Sequence, residues 1–414
     1  MEYLHESSFP VTKSELEIFT VPPTQTAIEA SYEVEYRPSA SLENGSTYEI
    51  HVPSSDDFTD LQATMLHIVA SVVTPNNGRI LEDKVQTVEN FGNSLFEQID
   101  LFLGTINTSQ ANNLYHYQSW FEDTFFRPPN KVDVGRMEGK EKTRILNQEF
   151  DLYFRIHLPL CEQDKLMLNN MPMTFRFTRS SESFPLMRLD DKDETSYKVK
   201  INSMSLHIKR IKLFPDTQLS LLNALQKSPA KYFITRNETR IFAIGNNMTA
   251  ATVDNLFSGI LPRRVIIGFV DEQSHSGTLE HNPYEFKSFN TNFIALYVDG
   301  NMIPSIPYTP NFQNKTYMRE FVNLYRFFNQ DEGHPQLDLS YEDYGKEKTL
   351  FAFDLSPDNS IGAENGTLSL VKRGVIRMSV KFSKTLTTPV KVVVFGQFDN
   401  LITVDRDRAV VLDY

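Results

Sequence analysis

Few side chains in this sequence combine the types and the spacing that catalysis needs. Cys161 is the only cysteine, and His157 stands four positions before it on a segment that we predict to be a strand. A cysteine nucleophile requires a nearby histidine base and a third group that orients the base. Nothing else in the sequence supports such a site, so we interpret Cys161 as an ordinary buried thiol.

The histidines and the acidic loops do not match a known metal site. Four of the nine histidines lie in predicted strands, where a packed or half-exposed ring is the expected state: His51, His67, His157 and His207. The acidic loops 331–338 and 356–360 could offer oxygen ligands to calcium, but neither has the spacing of a calcium-binding loop, and 189–194 is interpreted as a solvated loop. The motifs of zinc proteases, P-loop proteins and serine hydrolases are absent from the sequence. We therefore predict no catalytic, cofactor-binding or metal-binding residues.

Two aromatic clusters are the remaining candidates for a binding surface. They comprise Tyr115, Tyr117, Trp120 and Phe121 in the first half and Tyr317, Phe321, Tyr325 and Phe327 in the second. Aromatic rings can stack on bases, but such surfaces also carry interleaved Lys and Arg, which the first cluster lacks. The net charge of −12 also argues against nucleic-acid binding. We predict that both clusters pack in a core or at a subunit contact.

The composition indicates a soluble globular protein with many strands. A chain of 414 residues can form two domains of ordinary size, and its 31 Phe and 17 Tyr favour strands. A single cysteine allows no disulfide within the chain and favours a reducing compartment. The first residues lack the basic start and apolar core of a signal peptide, and no apolar run approaches the ~20 residues that span a bilayer. We therefore expect no membrane span.

Two stretches of similar design, 95–126 and 292–328, lie almost half a chain apart. Each shows an apolar strand, a glycine turn, a polar loop and a short aromatic helix. The turn glycines, Gly104 and Gly300, are 196 positions apart. This spacing suggests one module built twice.

Alternating apolar residues predict the strands around these stretches. We predict strands at 47–52, 63–73, 95–103, 149–160, 171–177 and 197–214 in the first half and at 231–244, 263–272, 293–298, 349–355, 374–382 and 388–405 in the second. The aromatic helices are predicted over 114–126, with Asn113 as the N-cap, and over 316–328. Equivalent positions keep a narrow offset: Val199 and Val392 are 193 apart, and Phe177 and Phe382 are 205 apart. The same elements therefore recur in the same order.

Short strands with polar connections and one buried face make antiparallel sandwiches. Halves of about 190 residues exceed an immunoglobulin-like domain and leave room for the long loops of a jelly roll. We predict an all-β fold of two tandem eight-stranded jelly-roll sandwiches, each with a short helix. The predicted divisions are an N-terminal arm at 1–40, a first roll at 41–214, a linker helix at 215–230 and a second roll at 231–414.

Four segments carry a resemblance to a known family. They are FTVPPTQTAI (19–28), LPRRVIIGFVDEQSHSGTLEHNPYEFKSF (261–289), LYVDGNMIPSIPYTPNF (296–312) and FAFDLSPD (351–358). In these segments the chain resembles the double jelly-roll major capsid proteins of Polinton (Maverick) elements and of their adintovirus relatives. Polinton elements are virus-like DNA transposons. The resemblance extends over most of the chain.

The resemblance implies a structural capsid protein with no enzymatic activity and no cofactor. Such proteins form homotrimers, and each trimer is a pseudo-hexameric capsomer of an icosahedral shell in which the sandwiches stand upright. Loops at one end form an outer tower, and the termini tie neighbouring capsomers together. The polar loop 275–286 is a candidate for the tower or for a trimer contact, and the alternative is a solvated loop. The implied partners are neighbouring capsomers, a single jelly-roll penton protein and minor capsid proteins, without sequence-specific nucleic-acid binding. The implied location is the virion capsid, after synthesis in the host cytoplasm and with assembly in the cytoplasm or the nucleus.

Two other functions fit the sequence pattern. A tandem β-sandwich that binds glycans or proteins would be a soluble monomer with exposed aromatic residues at one end of a sandwich. An enzyme on a jelly-roll scaffold would need histidines and carboxylates clustered on neighbouring strands around a metal, and the sequence does not reveal such a cluster.

Overall fold

The structure, a computed structural model, describes residues 21–42, 45–78, 80, 84–109, 111–126, 149–190, 194–327, 339–356 and 372–413, with 7–8, 11, 13–16 and 18–19 near the N-terminus. The acidic loop at 331–338 lies outside the described residues, as does most of 356–360. The described ends of the loop 189–194 are exposed, as a solvated loop requires.

The first half of the chain forms a sandwich of two antiparallel sheets. Its strands are β1 (Ile28–Tyr36), β2 (Thr47–Val52), β3 (Phe58–Val73), β4 (Val85–Thr87), β5 (Phe96–Leu103), β6 (Ile106–Asn107), β7 (Glu149–Arg155), β8 (Met173–Arg179), β9 (Leu186–Arg188) and β10 (Lys198–Leu213). Within the described residues, the two sheets have the orders β1-β10-β3-β7 and β2-β8-β5-β6, and β4 pairs with β9 in a separate ribbon.

The second half forms a second sandwich. Its strands are β11 (Ala230–Ile244), β12 (Ala250–Ile260), β13 (Arg264–Asp271), β14 (Thr291–Val298), β15 (Asn301–Tyr308), β16 (Leu350–Asp354), β17 (Arg373–Phe382), β18 (Val390–Val404) and β19 (Val410–Leu412). In the described part of this half the sheet orders are β11-β18-β13-β16, with β19 added beside β18, and β12-β17-β14-β15.

Short helices connect the strands. The described helices are α1 (Phe91–Ser94), α2 (Tyr115–Phe125), α3 (Pro215–Lys227), α4 (Glu272–His275), α5 (Met318–Phe327) and α6 (Tyr341–Lys346), with 3-10 turns at Ser14–Leu16 and Pro159–Cys161. Helix α3 begins with a proline, whose fixed φ suits a first helical turn, and it links the last strand of the first sandwich to the first strand of the second. Helices α2 and α5 follow the hairpins β5-β6 and β14-β15.

The two sandwiches have the same topology. Each main strand of the first roll has a counterpart at the same place in the second roll. The sheet β1-β10-β3-β7 corresponds to β11-β18-β13-β16, and the sheet β2-β8-β5-β6 corresponds to β12-β17-β14-β15. This is the two-sheet jelly-roll arrangement. The predicted fold class, two tandem eight-stranded jelly rolls with a helix at the same place in each, is confirmed.

Strand alternation builds the core of each roll. In β3, Leu66, Ile68 and Ala70 are buried, whereas His67 and Val69 between them are partly exposed. Successive side chains of a strand point to opposite faces, so one face of each sheet fills the space between the sheets. One apolar cluster fills the first sandwich and extends to Tyr232 and Ile402 of the second roll, another fills the second sandwich, and a third lies between the rolls.

The first strand of each roll differs from the prediction. Strand β1 lies inside the predicted arm 1–40 and pairs with β10, for example Val34 with Ile208. The counterpart of β11 is therefore β1, and the counterpart of β2 is β12. Strand β1 is exposed along most of its length, so its residues lack the apolar alternation by which a strand is recognised.

Three further expectations need correction. The strand predicted over 149–160 ends at Arg155 and is followed by the 3-10 turn. Each glycine turn leads into a paired strand, β6 or β15, and not directly into a polar loop. Leu114 is the N-cap of α2 with no side-chain cap, and the predicted cap Asn113 has a positive φ of 55°.

Candidate functional site

The joint between the two rolls is built largely from the aromatic face of α2. The ring centroid of Trp120 lies 4.9 Å from that of Phe286 and 5.9 Å, stacked, from that of Tyr284. Phe121 lies 5.2 Å from Phe395 on β18 of the second roll. Offset and edge-to-face aromatic contacts of this kind stabilise an interface beyond their area alone, so α2 of the first roll braces the outer face of a second-roll sheet.

Arg264 on β13 ties the ends of the two aromatic helices together. Its guanidinium carbon lies 5.5 Å from the ring centroid of Phe126, next to the end of α2, and 5.6 Å from that of Phe327, the last residue of α5. A cation over two aromatic faces is attracted to both. The equivalent helices of the two rolls therefore meet at one second-roll side chain.

The aromatic clusters singled out in the sequence thus pack in a core. Six of their members are buried and the other two, Phe321 and Tyr325, are partly buried against the cluster between the rolls; the buried ones are Tyr115, Tyr117, Trp120, Phe121, Tyr317 and Phe327. Base stacking requires accessible ring faces, so these residues do not form a nucleic-acid surface.

A chain of buried polar side chains also crosses the joint. Asn237 Nδ2 on β11 donates to Glu122 Oε1 on α2 at 2.6 Å, and Gln397 Nε2 donates to Asn237 Oδ1 at 3.1 Å. Arg263 continues the chain, since its Nη2 donates to Gln397 Oε1 at 3.0 Å and its Nη1 lies 2.7 Å from Asp399 Oδ1. Connected buried polar groups fix one arrangement of the elements that carry them, so the two rolls have a defined relative position.

His157 stands at the first-roll end of this chain, just beyond β7. Its Nδ1 lies 2.9 Å from Glu122 Oε2 and 3.6 Å from Glu162 Oε1, and its Nε2 lies 3.0 Å from Asp123 Oδ2. The side chains of His157, Glu122 and Asp123 are buried, and that of Glu162 is 35% exposed. No local sequence pattern marks this cluster, because its residues come from two segments about 35 positions apart that only the fold brings together.

Cys161 is the buried thiol that the sequence predicts. Burial, with a smaller effect from the Glu162 carboxylate, raises the pKa of the thiol well above its usual range. The thiolate is the nucleophilic form of cysteine, so burial disfavours the reactive form of this side chain.

The other strand histidines lie on partly exposed faces. Nδ1 of His51 is 3.1 Å from the Thr174 hydroxyl, Nε2 of His67 is 2.6 Å from Asp151 Oδ1, and Nδ1 of His207 is 2.8 Å from Glu33 Oε1. Each ring thus has a local hydrogen-bond partner, in agreement with the half-exposed state expected from the sequence.

The loop 275–286 belongs to the joint. Tyr284 and Phe286 are buried in the cluster between the rolls, the Tyr284 hydroxyl donates to the carbonyl of His116 at 3.2 Å, and Glu280 pairs with Arg188 at 3.0 Å. The interpretation as a solvated loop is therefore wrong for its C-terminal part.

Exposed apolar side chains lie before β1 and on α3. Residues before β1 include Val11, Ile18, Phe19 and Val21, of which Phe19 is 94% exposed. Helix α3 exposes Leu219 and Leu221 and buries only Leu225. Among the described helices none is long and apolar enough to cross a membrane.

The chain was compared with protein-family models, known proteins and solved structures. No protein-family model matches the chain. An uncharacterized protein of Caenorhabditis elegans is 21% identical over 426 residues, which cover 95% of this chain and 99% of that protein.

Solved structures of viral capsid proteins superpose on the whole molecule. The PBCV-1 virus capsid matches with a TM-score of 0.64 and 11% identity over 96% of this chain and 99% of that one. The Faustovirus major capsid protein matches with a TM-score of 0.63 and 8% identity, over 95% and 92% of the two chains. The mavirus major capsid protein matches with a TM-score of 0.58 and 9% identity, over 100% and 97%. At these identities the likeness establishes the fold, and the fold is the double jelly roll.

Proposed function

We propose that this chain is a structural major capsid protein. It forms a homotrimer in which three pairs of jelly rolls surround a three-fold axis, so that six similar sandwiches make a pseudo-hexameric capsomer. Capsomers of this kind tile an icosahedral shell. The protein is not an enzyme and acts through its surfaces.

One observation carries the proposal: a single chain contains the same jelly roll twice, held as one unit by a buried joint. A capsomer with six-fold outline and three-fold symmetry needs such a subunit. The structural likeness to the PBCV-1, Faustovirus and mavirus capsid proteins over nearly the whole chain supports this interpretation. A glycan-binding module would need accessible aromatic rings at the end of a sandwich, whereas the aromatic clusters of this chain are buried.

The finer assignment is to the Polinton (Maverick) and adintovirus type of capsid protein. It is supported by the four segments that resemble that family and by the likeness to the mavirus protein. Its partners are neighbouring capsomers, a single jelly-roll penton protein and minor capsid proteins, and its location is the virion capsid. The exposed apolar residues before β1 suit the expected role of the N-terminal segment in tying neighbours together.

We also propose a division of the chain, which the strand topology supports. The first roll runs from β1 to residue 214, α3 links the rolls, and the second roll begins at β11, so the free arm is shorter than the predicted 1–40. Limited proteolysis checks this division: cleavage before β1 is expected to leave both rolls intact, and early cleavage inside β1 would contradict it.

Sedimentation equilibrium of the purified full-length chain tests the trimer. The expected mass is about 143 kDa, three times the 47.7 kDa of one chain. A single 47.7 kDa species at every concentration and salt condition would contradict the proposal.

A further inference from the structure

We propose that Glu122, His157 and Glu162 form a binding site for a divalent transition metal of the zinc class. The three residues meet where the end of α2 approaches the segment after β7. Each offers one ligand atom, and these atoms all lie within 4.8 Å of one another. The site lies within one chain and does not depend on the proposed capsid function.

The spacing around the His157 ring suits a metal ion. Nδ1 lies 2.9 Å from Glu122 Oε2 and 3.6 Å from Glu162 Oε1. Zinc binds imidazole nitrogen and carboxylate oxygen at about 2.0–2.2 Å, which places neighbouring ligand atoms about 3.0–3.5 Å apart. A proton on Nδ1 can be donated to only one of the two carboxylates, whereas a metal ion binds both.

The surrounding residues orient the ligands as they do in known metal sites. Asp123 Oδ2 lies 3.0 Å from Nε2 of His157, and a carboxylate on the outer ring nitrogen is the usual partner of a metal-bound histidine. Gln118 Nε2 and Asn237 Nδ2 donate to Glu122 Oε1 at 2.9 Å and 2.6 Å. Those bonds occupy Oε1 and leave Oε2 directed at His157.

The site has a route from solvent. Glu162 is 35% exposed and connects the site to the surface. Imidazole among the ligands favours zinc or a similar ion over magnesium and calcium.

A metal here would reinforce the joint. Glu122 belongs to the helix that braces the second roll, and it is hydrogen-bonded to Asn237 of that roll. An ion that binds only the folded chain raises its stability by mass action, so zinc is expected to raise the Tm of the full-length protein.

The test is calorimetric titration of the EDTA-treated, dialysed full-length protein with ZnCl2, with the absorption spectrum of the Co2+ form as a second readout of coordination. We expect one ion per chain with a Kd of about 1 µM or lower. Glu162→Gln, which removes one ligand from a partly exposed position, is expected to weaken binding by at least ~10-fold and to reduce the zinc-dependent rise in Tm.

Asp164→Asn is the matched control, because it removes one negative charge only two positions from Glu162. The Asp164 side chain is 72% exposed and paired with Lys165. The control variant is expected to bind zinc as the unmodified chain does. The proposal is overturned if the unmodified chain binds no zinc at one ion per chain, or if Glu162→Gln and Asp164→Asn bind with equal affinity.

Discussion

At the scale of single residues, His116 is a histidine that the fold keeps neutral. Its ring lies 4.9 Å from that of Tyr117 and 4.1 Å from that of Phe184. Burial, with a smaller effect from His275, lowers the pKa of His116 to about 3. The imidazole is therefore uncharged in the folded protein at any pH above that value.

The lowered pKa of His116 makes the folded protein less stable in mild acid. Below pH 6.5 the unfolded chain protonates His116 whereas the folded chain does not until about pH 3. The unfolded state then binds more protons, so the free energy of unfolding falls as the pH falls through 6.5. Between pH 7 and pH 5 this one residue should account for a loss of about 2 kcal/mol.

Urea unfolding of the unmodified chain and of His116→Gln at pH 7 and pH 5 measures this loss. Glutamine does not titrate, so the variant is expected to lose about 2 kcal/mol less than the unmodified chain between the two pH values. Equal losses would show that His116 is protonated, or accessible, in the folded state.

The thiol of Cys161 gives a second residue-scale prediction. Because the side chain is buried in the first-roll core, we expect a disulfide reagent such as Ellman's reagent to label it at least ~100-fold more slowly in the folded protein than in urea. Cys161→Ser, which has no thiol, gives the background signal of the labelling assay. Rapid labelling of the folded protein would mean that the segment after β7 opens readily.

Residue types predict some of these environments and not others. The sequence correctly predicts Cys161, a lone cysteine without supporting groups, to be a buried thiol. His157 looks like one more strand histidine, but β7 ends two residues before it and the fold places three carboxylates around its ring. Such a cluster depends on contacts between distant segments, which no local pattern contains.

At the scale of the elements, the two glycine turns occupy equivalent positions in the two rolls. Gly104 and Gly300 have φ values of 59° and 87°, and a Cβ at either position would meet no atom within 4 Å. The only obstacle to another residue is therefore the left-handed backbone, which costs about 1 kcal/mol for a residue with a Cβ.

Gly104→Ala and Gly300→Ala are each expected to lower the free energy of unfolding by about 1 kcal/mol in urea titrations. Gly245→Ala is the matched control, because that glycine also has open space around a Cβ but no positive φ. Its substitution is expected to be neutral or slightly stabilising. An equal cost at all three positions would contradict the backbone argument.

Helix α2 gives a further prediction at this scale. Phe121 is buried in the joint against Phe286 and Phe395, so Phe121→Ala is expected to cost about 3–5 kcal/mol through the cavity it leaves. Phe19→Ala makes the same substitution at a side chain that is 94% exposed, and a change within about 0.5 kcal/mol is expected. Similar effects of the two substitutions in thermal unfolding would show that the joint is not tightly packed.

Apolar periodicity predicts the elements with one buried face and misses the others. Strand β2 is predicted with its observed bounds, Thr47–Val52, and β10 to within a residue at each end. Strand β1 and much of β12 are exposed on both faces, so their sequences lack the alternation that marks a strand. Edge strands owe their place to backbone pairing with a neighbour, which side-chain patterns do not encode.

At the scale of the whole molecule, the repeat in the sequence and the repeat in the fold agree in all but the first strand pair. The offsets near 200 positions correctly relate β3 to β13, β5 to β14 and β10 to β18. The error in matching β2 with β11 arose from the unrecognised β1 and left the total of eight strands per roll unchanged. The relative position of the rolls could not be predicted, because it depends on contacts of α2 with residues more than 160 positions away, such as Phe286.

The most direct test of the capsid proposal is electron microscopy of the purified full-length chain. Two-dimensional class averages viewed down the symmetry axis are expected to show a three-fold symmetric particle with a hexagonal outline, because each chain contributes two similar sandwiches to a ring of six. Closed shells made of such particles would agree with the same account. Uniform single particles of two joined sandwiches, without three-fold association under any solution condition, would contradict it.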